Sequence, residues 1–238
     1  MKVIITMAGA GSRFRKEGYN VPKHEIIVKG RSLFQWSMLS LKDFFKEEFV
    51  FLTREGNYNR EHIDSECRIL GIENYSIIEI GSMTDGQAST AFYAKEIIKP
   101  DNDFIIYNID TYIEEHVLSK DVIAQGDGHI VVFRAEGDHW SFIGLDENDK
   151  ITKVTEKVRI SDLATVGLYY FKSWKKFEEI YNLHLEDVKS DYKESYIVPF
   201  YQYMINDGAE ITYSIIEQSV VHALGTPNEV KDFENKYE

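Results

Sequence analysis

Val3-Ile4-Ile5-Thr6-Met7-Ala8-Gly9-Ala10-Gly11-Ser12-Arg13-Phe14, followed later by Pro22-Lys23, is the stretch from which the fold is read. The run from Val3 to Thr6 predicts a short buried strand, because a strand covered on both faces shows no polar alternation. The small residues after it let backbone amides approach an anion, and Arg13 and Lys23 supply positive charge that can stay with that anion through a reaction. The GKS or GKT ending of a Walker loop is missing, and Phe14 stands where GxGxxG needs its third glycine. Glycines mostly serve turns, so Gly9 and Gly11 alone would be read as a bare turn. The two cations favour a phosphate cradle.

Outward from this loop, Phe34, Met38, Leu41 and Phe45 recur at three and four residues, which predicts a helix that Ser32 can cap. A strand at 49–53, a helix at 61–70, a strand at 75–80, a helix at 87–98 and a strand at 104–109 continue the alternation, which predicts a parallel sheet. Beyond Ile109 come strands at 130–134, 141–145, 151–155 and 165–171, with Asp149 and Lys150 as a hairpin turn, so an antiparallel extension is expected. Helices at 174–183 and 196–205, strands at 211–215 and 220–223, and the helix start Thr226-Pro227-Asn228-Glu229 complete the order. The predicted fold is α/β, a Rossmann-like mixed sheet flanked by helices with an antiparallel extension. No linker is evident, so residues 1–238 are expected to form a single domain with halves 1–110 and 111–238.

The 238 residues are 43% hydrophobic, with 14 Phe, 15 Tyr and only 4 Pro, the composition of a packed core. A formal charge of -13 opposes nucleic-acid and anionic-membrane binding, which depend on Lys and Arg. Any phosphate must then be met locally, by amides, a few cations or a divalent metal. No 18-residue apolar run exists, and the apolar start is too short for a signal-peptide core. Cys67 is the one cysteine, which excludes an internal disulfide and fits a reducing, cytoplasmic setting. Free cysteines are mostly buried, so Cys67 is expected to pack a helix.

The loop and the later Pro-Lys resemble the sugar-phosphate nucleotidyltransferases, whose first loop runs GxGxRF or GxGTRL with a PK some ten residues on. The resemblance is greatest to a subgroup found among capsule and lipopolysaccharide genes, with MAGxGSRF continuing into GYxxPK, as Gly18-Tyr19-Asn20-Val21-Pro22-Lys23 does here. It extends over nearly the whole chain and implies a nucleotidyltransferase fold related to the GT-A glycosyltransferases. By this resemblance Arg13 and Lys23 hold the triphosphate and stabilise the transition state, and Ala8, Gly9, Ala10, Gly11 and Ser12 line the nucleotide. Gly86, at the start of a helix, is expected at the base, Asp85 and Ser89 beside it are expected at the nucleotide or as ordinary caps of that helix, and Asn108 on the sheet edge is expected at the nucleotide. Asp110, at the carboxyl end of the central strand, matches the family's metal aspartate and would hold Mg²⁺ or Mn²⁺. In the thymidylyltransferase branch a second metal aspartate lies just before a GT. Here that place falls in His222-Ala223-Leu224-Gly225-Thr226-Pro227 and offers no carboxylate. His222 lies nearby, but a lone histidine is more often structural, so it is left out of the ligand set.

Glu156-Lys157 and the segment holding Gly167 resemble the family's EK element and VGxYxF strand, which line the acceptor pocket. There Glu156 would accept from acceptor hydroxyls or amines and Lys157 would meet the acceptor phosphate. Trp140, Ser141 and Glu194 join them as expected acceptor contacts, Ser141 standing where the thymidylyl branch has a glycine. The resemblance thus implies a transferase that moves NMP from an NTP to a small phosphorylated acceptor with loss of pyrophosphate. Acceptors known among relatives include sugar 1-phosphates, phosphocholine and phosphoglutamine, the last two with CTP. A role in capsule or lipopolysaccharide synthesis and a homodimer are further expectations. Two alternatives stand beside it: a glycosyltransferase, whose DxD motif is incomplete at Asn108-Ile109-Asp110, and a non-catalytic nucleotide sensor.

Overall fold

The computed structural model describes residues 1–236. Its first half comprises β1 (Lys2–Thr6), α1 (Ser12–Lys16), the hairpin β2 (Ile27–Val28) and β3 (Arg31–Ser32), α2 (Leu33–Leu39), β4 (Glu48–Arg54), α3 (Arg60–Leu70), β5 (Tyr75–Ile80), α4 (Gln87–Phe92) and β6 (Phe104–Asn108). The four long strands run parallel in the order β6-β1-β4-β5. Val3 to Ile5, Phe49 to Leu52 and Phe104 to Tyr107 are wholly buried, which is why these segments are continuous apolar runs. The chain passes from β1 outward to β4 and β5, then crosses back to lay β6 on the other side of β1. That reversal makes a crevice at the carboxyl edge, the place where open α/β sheets bind ligands. Thr6 stands opposite Asn108, so the loop after β1 and the turn after β6 leave the sheet side by side.

The second half comprises β7 (Thr111–Ile113), α5 (Lys120–Ile123), β8 (Gly128–Arg134), β9 (Ser141–Leu145), β10 (Ile151–Glu156), β11 (Leu163–Phe171), α6 (Trp174–Tyr192), α7 (Val198–Asn206), β12 (Ile211–Ile216), β13 (Val221–Ala223) and α8 (Pro227–Lys236). β11 lies antiparallel to β6 along residues 168–171 and antiparallel to β8 along its length, interrupted by an irregularity between Thr165 and Tyr169. β9 and β10 form the expected hairpin, turned where the Asp146 amide donates to the Lys150 carbonyl at 2.9 Å. β12 extends the same nine-stranded sheet, parallel to β8.

Several boundaries differ from the sequence pattern, each for a local reason. The helix predicted to reach Phe45 stops at Leu39. Ser40 then turns its hydroxyl to the Ile113 amide at 2.8 Å, and a 3-10 turn over Lys42–Phe44 carries Leu41 and Phe44 into the core. α4 likewise tightens into a 3-10 turn over Tyr93–Glu96. α6 runs to Tyr192, past the expected end at Leu183, because Val188 is buried and Lys189 pairs with Asp85 at 2.8 Å. α7 begins at Val198 because the preceding Ser195 is bonded to α4 instead. β13 pairs with β7 in a separate two-stranded sheet.

Two apolar clusters fill the faces of the main sheet, one beneath α4, α6 and α7 and the other beneath α2 and α3. A third joins Phe14, Trp36, Tyr112, Leu224, Val230 and Phe233, fastening α8 to the glycine loop. Cys67 is buried in α3. Burial pushes its thiol up to about 12, so it is protonated and inert at neutral pH. Among the described residues no helix is long and apolar enough to cross a membrane.

Candidate active site

The glycine loop is shaped by backbone freedom and one tether. Gly11 has φ 60° and caps α1, a left-handed conformation that costs other residues about 1–2 kcal/mol. Asn57 fixes the loop from the β4 side, its Nδ2 donating to the Gly9 carbonyl at 3.0 Å while its Oδ1 accepts from Arg15 at 2.6 Å. Among the described residues the amides of Gly9, Ala10 and Gly11 donate to nothing within the protein. Ser12 and Arg13 are exposed and Ala8 is buried beneath them. Arg13 forms no ion pair among the described residues.

Lys23 lies in the 3-10 turn Lys23–Glu25, with its ammonium 3.0 Å from Asp110 Oδ2 and 5.7 Å from the centre of the Phe14 ring. The next residue, His24, is buried, and burial with the charges of His62 and Lys23 pushes its imidazole down to about 3. Asp110 is held from behind by a fully buried polar network. Ser37 Oγ and the Tyr107 hydroxyl both donate to the Thr111 carbonyl at 2.9 Å, and the Leu224 amide donates to the Asp110 carbonyl at 2.7 Å. Asn108 points its amide at Gly167. A Cβ there would stand 2.2 Å from Asn108 Nδ2, so only glycine, at φ 82°, lets the two strands meet. Asn108 Oδ1 is buried and accepts no hydrogen bond.

Gly86 stands where a side chain would not fit. At φ 152° its missing Cβ would lie 2.5 Å from the Ser195 nitrogen and 2.6 Å from Ser195 Oγ. Ser195 is fully buried against the start of α4, its carbonyl accepting from the Ala88 amide at 2.7 Å and its Oγ accepting from the Ser89 amide at 3.1 Å. Asp85 and Ser89 are engaged in the same packing: Asp85 pairs with Lys189, and the Ser89 hydroxyl bonds Tyr181 and Ser195 at 3.0 and 2.8 Å. The Lys189 bond holds the Asp85 carboxyl below its usual range. These side chains therefore anchor α6 and the 194–196 segment.

Glu156, Lys157, Glu194 and Tyr196 gather beside that anchor. Glu156 is buried and bonded by the Ser141 hydroxyl. Desolvation raises its carboxyl above the usual range, and Glu194 adds to the shift while Ser141 and Lys157 oppose it. Lys157 has φ 53° and donates to the Tyr196 hydroxyl, its ammonium 4.5 Å from the centre of that ring. Burial would lower its pKa, but Tyr196 and the two glutamates outweigh burial and raise it. Trp140 parts from Ser141. It packs on Phe133 and lines an open groove of about 770 Å³ with His222, Ala223 and Glu229. His222 stacks on Tyr112 and packs against Phe233.

Sequence reasoning missed Ser195, Asn57, Ser37 and Ser40. A serine in an apolar segment or an asparagine after a glycine gives no signal beyond turn chemistry, and each acts only through distant partners. Among the described residues no three His, Cys, Asp or Glu groups are placed to hold a metal ion by themselves. Mg²⁺ held against substrate phosphates needs only one or two carboxylates.

The nucleoside-diphosphate-sugar pyrophosphorylase from Vibrio cholerae RC9 has this architecture, with a TM-score of 0.89 and 31% identity over 99% of this chain and 100% of its own. The chain belongs to the nucleotide-sugar pyrophosphorylase and nucleotidyltransferase family. No family model matches it. The inositol-1-phosphate CTP transferase from T. maritima shares the fold of this nucleotidyltransferase at a TM-score of 0.73 and 18% identity, over 99% of this chain and 95% of its own. A curated relative, the low-salt glycan biosynthesis nucleotidyltransferase Agl11 of Haloferax volcanii, is 24% identical over 225 residues. That match covers 91% of this chain and 60% of the relative's length.

Proposed function

We propose that the protein transfers NMP from a nucleoside triphosphate to a small phosphorylated acceptor, releasing pyrophosphate. The observation that carries this reading is the meeting of Lys23 and Asp110 at the carboxyl edge of adjacent strands, beside a loop with unbonded amides. An acceptor phosphate oxygen forms a bond to the α-phosphorus while the bond to the β-phosphate oxygen breaks, and pyrophosphate leaves with that electron pair. Negative charge grows on the equatorial and leaving oxygens, where Lys23 and the free Arg13 would neutralise it. No protein nucleophile is required.

Asp110 would hold a divalent ion, Mg²⁺ or Mn²⁺, which would supply positive charge against the developing phosphate charge. The residues present suit it: Asp110 is 40% exposed on the crevice, and the orphaned Asn108 Oδ1 lies two residues away. Glu156, Lys157, Glu194 and Tyr196 would face the acceptor, Lys157 taking its phosphate and the carboxylates its hydroxyl or amino groups. A sugar 1-phosphate acceptor is supported by the Vibrio cholerae relative, and a role in surface-polysaccharide synthesis by the resemblance of the first loop. The test is pyrophosphate release by the purified protein with Mg²⁺, crossing CTP, UTP, dTTP, GTP and ATP against sugar 1-phosphates, phosphocholine and phosphoglutamine. Release that needs one nucleotide and one acceptor supports the reading; nucleotide binding with no release from any pair overturns it.

A further inference from the structure

Gly225 lies between two carboxylates. A Cβ built on it would stand 3.4 Å from Asp110 Oδ2 and 3.3 Å from Glu229 Oε2, so both oxygens border one small space that the glycine leaves open. Glu229 is the third residue of α8, and its amide donates to Thr226 Oγ1 at 3.2 Å. In a capping box the glutamate returns a bond from its carboxylate to the amide of the capping residue. That half is not made here, and the Glu229 carboxylate has no hydrogen-bond or ion-pair partner among the described residues. It leans over Gly225 toward Asp110 instead. Two carboxylates facing one space repel unless a cation lies there, and Lys23 reaches only Asp110. The space is accessible, because Glu229 and Ala223 line the open groove beside it. The apolar cluster that fastens α8 to the glycine loop fixes the position of Glu229 relative to Asp110.

We infer that Glu229, reaching across Gly225, supplies the second carboxylate toward the divalent cation that Asp110 would hold. It would replace the ligand that Ala223 lacks. This rests on the transferase reading above and concerns the cation alone. Gly225 has an ordinary backbone, so Gly225→Ala fills the space without backbone strain and presses on the ends of the two carboxylates, while Glu229→Gln keeps a residue suited to the helix start and removes the charge.

The test is Mn²⁺ binding to the full chain, followed by electron paramagnetic resonance, with the melting temperature of the metal-free protein as a folding control. Each variant is expected to weaken Mn²⁺ binding by at least about tenfold with unchanged melting, and Asp110→Asn to lose it. Wild-type affinity in Glu229→Gln, with loss in Asp110→Asn, overturns the role of Glu229 and leaves the transferase reading standing. A wild-type protein that binds no Mn²⁺ and releases no pyrophosphate overturns both.

Discussion

Lys23 Nζ stands 3.0 Å from Asp110 Oδ2, linking the segment after the first strand to the turn after the central one. The lysine side chain is 14% and the aspartate 40% exposed, and such a pair contributes only about 0–1 kcal/mol to stability. Removing either charge from a reaction that develops phosphate charge costs far more. Lys23→Ala and Asp110→Asn are each expected to lower kcat by on the order of 10²–10³ while the melting temperature barely moves. Steady-state pyrophosphate release and thermal melting, measured on the same preparations, check this.

Gly86→Ala has the opposite profile. A methyl group at φ 152° would meet the Ser195 backbone at 2.5 Å, and strain in that region alone costs about 1–3 kcal/mol. Urea unfolding should show at least that loss. Ser195→Ala removes side-chain hydrogen bonds without a clash and should cost about 1 kcal/mol per lost bond. A loss below about 1 kcal/mol in Gly86→Ala would contradict the packing account of Gly86.

Glu156 is kept buried and raised in pKa by desolvation. A carboxyl raised on folding gives stability below its unfolded value and loses it as pH rises through the folded value. The charged form of the buried Glu156 carboxyl is therefore a burden on the fold. Glu156→Gln is expected to raise the melting temperature at pH 7 and to raise the acceptor KM by roughly tenfold to a hundredfold, as a lost charged hydrogen bond does. A variant that melts lower, with an unchanged KM, would remove Glu156 from the acceptor site.

His129 sets a pH dependence away from the site. Its nitrogens bond Thr212 Oγ1 at 2.8 Å and Ser214 Oγ at 3.0 Å, and burial pushes its pKa down to about 4. A depressed histidine keeps full stability above its unfolded value near 6.5. Between about 6.5 and 4 only the unfolded chain takes up the proton, so stability falls as pH drops, by about 1.4 kcal/mol per pH unit at most. His24, held down to about 3, adds a slope of the same sign. Unfolding free energies at pH 7.5, 6 and 5 should show a shallower slope in His129→Gln than in the wild type.

The parallel strands were legible because burial on both faces leaves no choice of residue: Val3 to Ile5 and Phe49 to Leu52 are apolar without interruption. The hairpin of β9 and β10 was legible from Asp149 and Lys150. The β7 and β13 ladder was not, since strands of three residues carry no period and find their register only in the folded chain. Of the site, Lys23 and Asp110 meet as the loop motif and the strand end implied. Trp140 and Ser141 are neighbours in sequence, yet one lines the groove beside Ala223 and the other bonds Glu156. Gly86 was legible as a glycine that matters, but the close approach of Ser195 was not, since it comes from more than a hundred residues away.

The transfer of NMP to the acceptor can be followed in phosphorus resonances. ³¹P nuclear magnetic resonance of the purified protein with Mg²⁺, the nucleotide and the acceptor selected by the pyrophosphate assay would follow it directly. The prediction is that pyrophosphate and a new diphosphate-linked product appear in equal amounts, and that both vanish in Lys23→Ala. Nucleotide hydrolysis to NMP and pyrophosphate with no acceptor signal consumed, or no change in any phosphorus resonance, would contradict it.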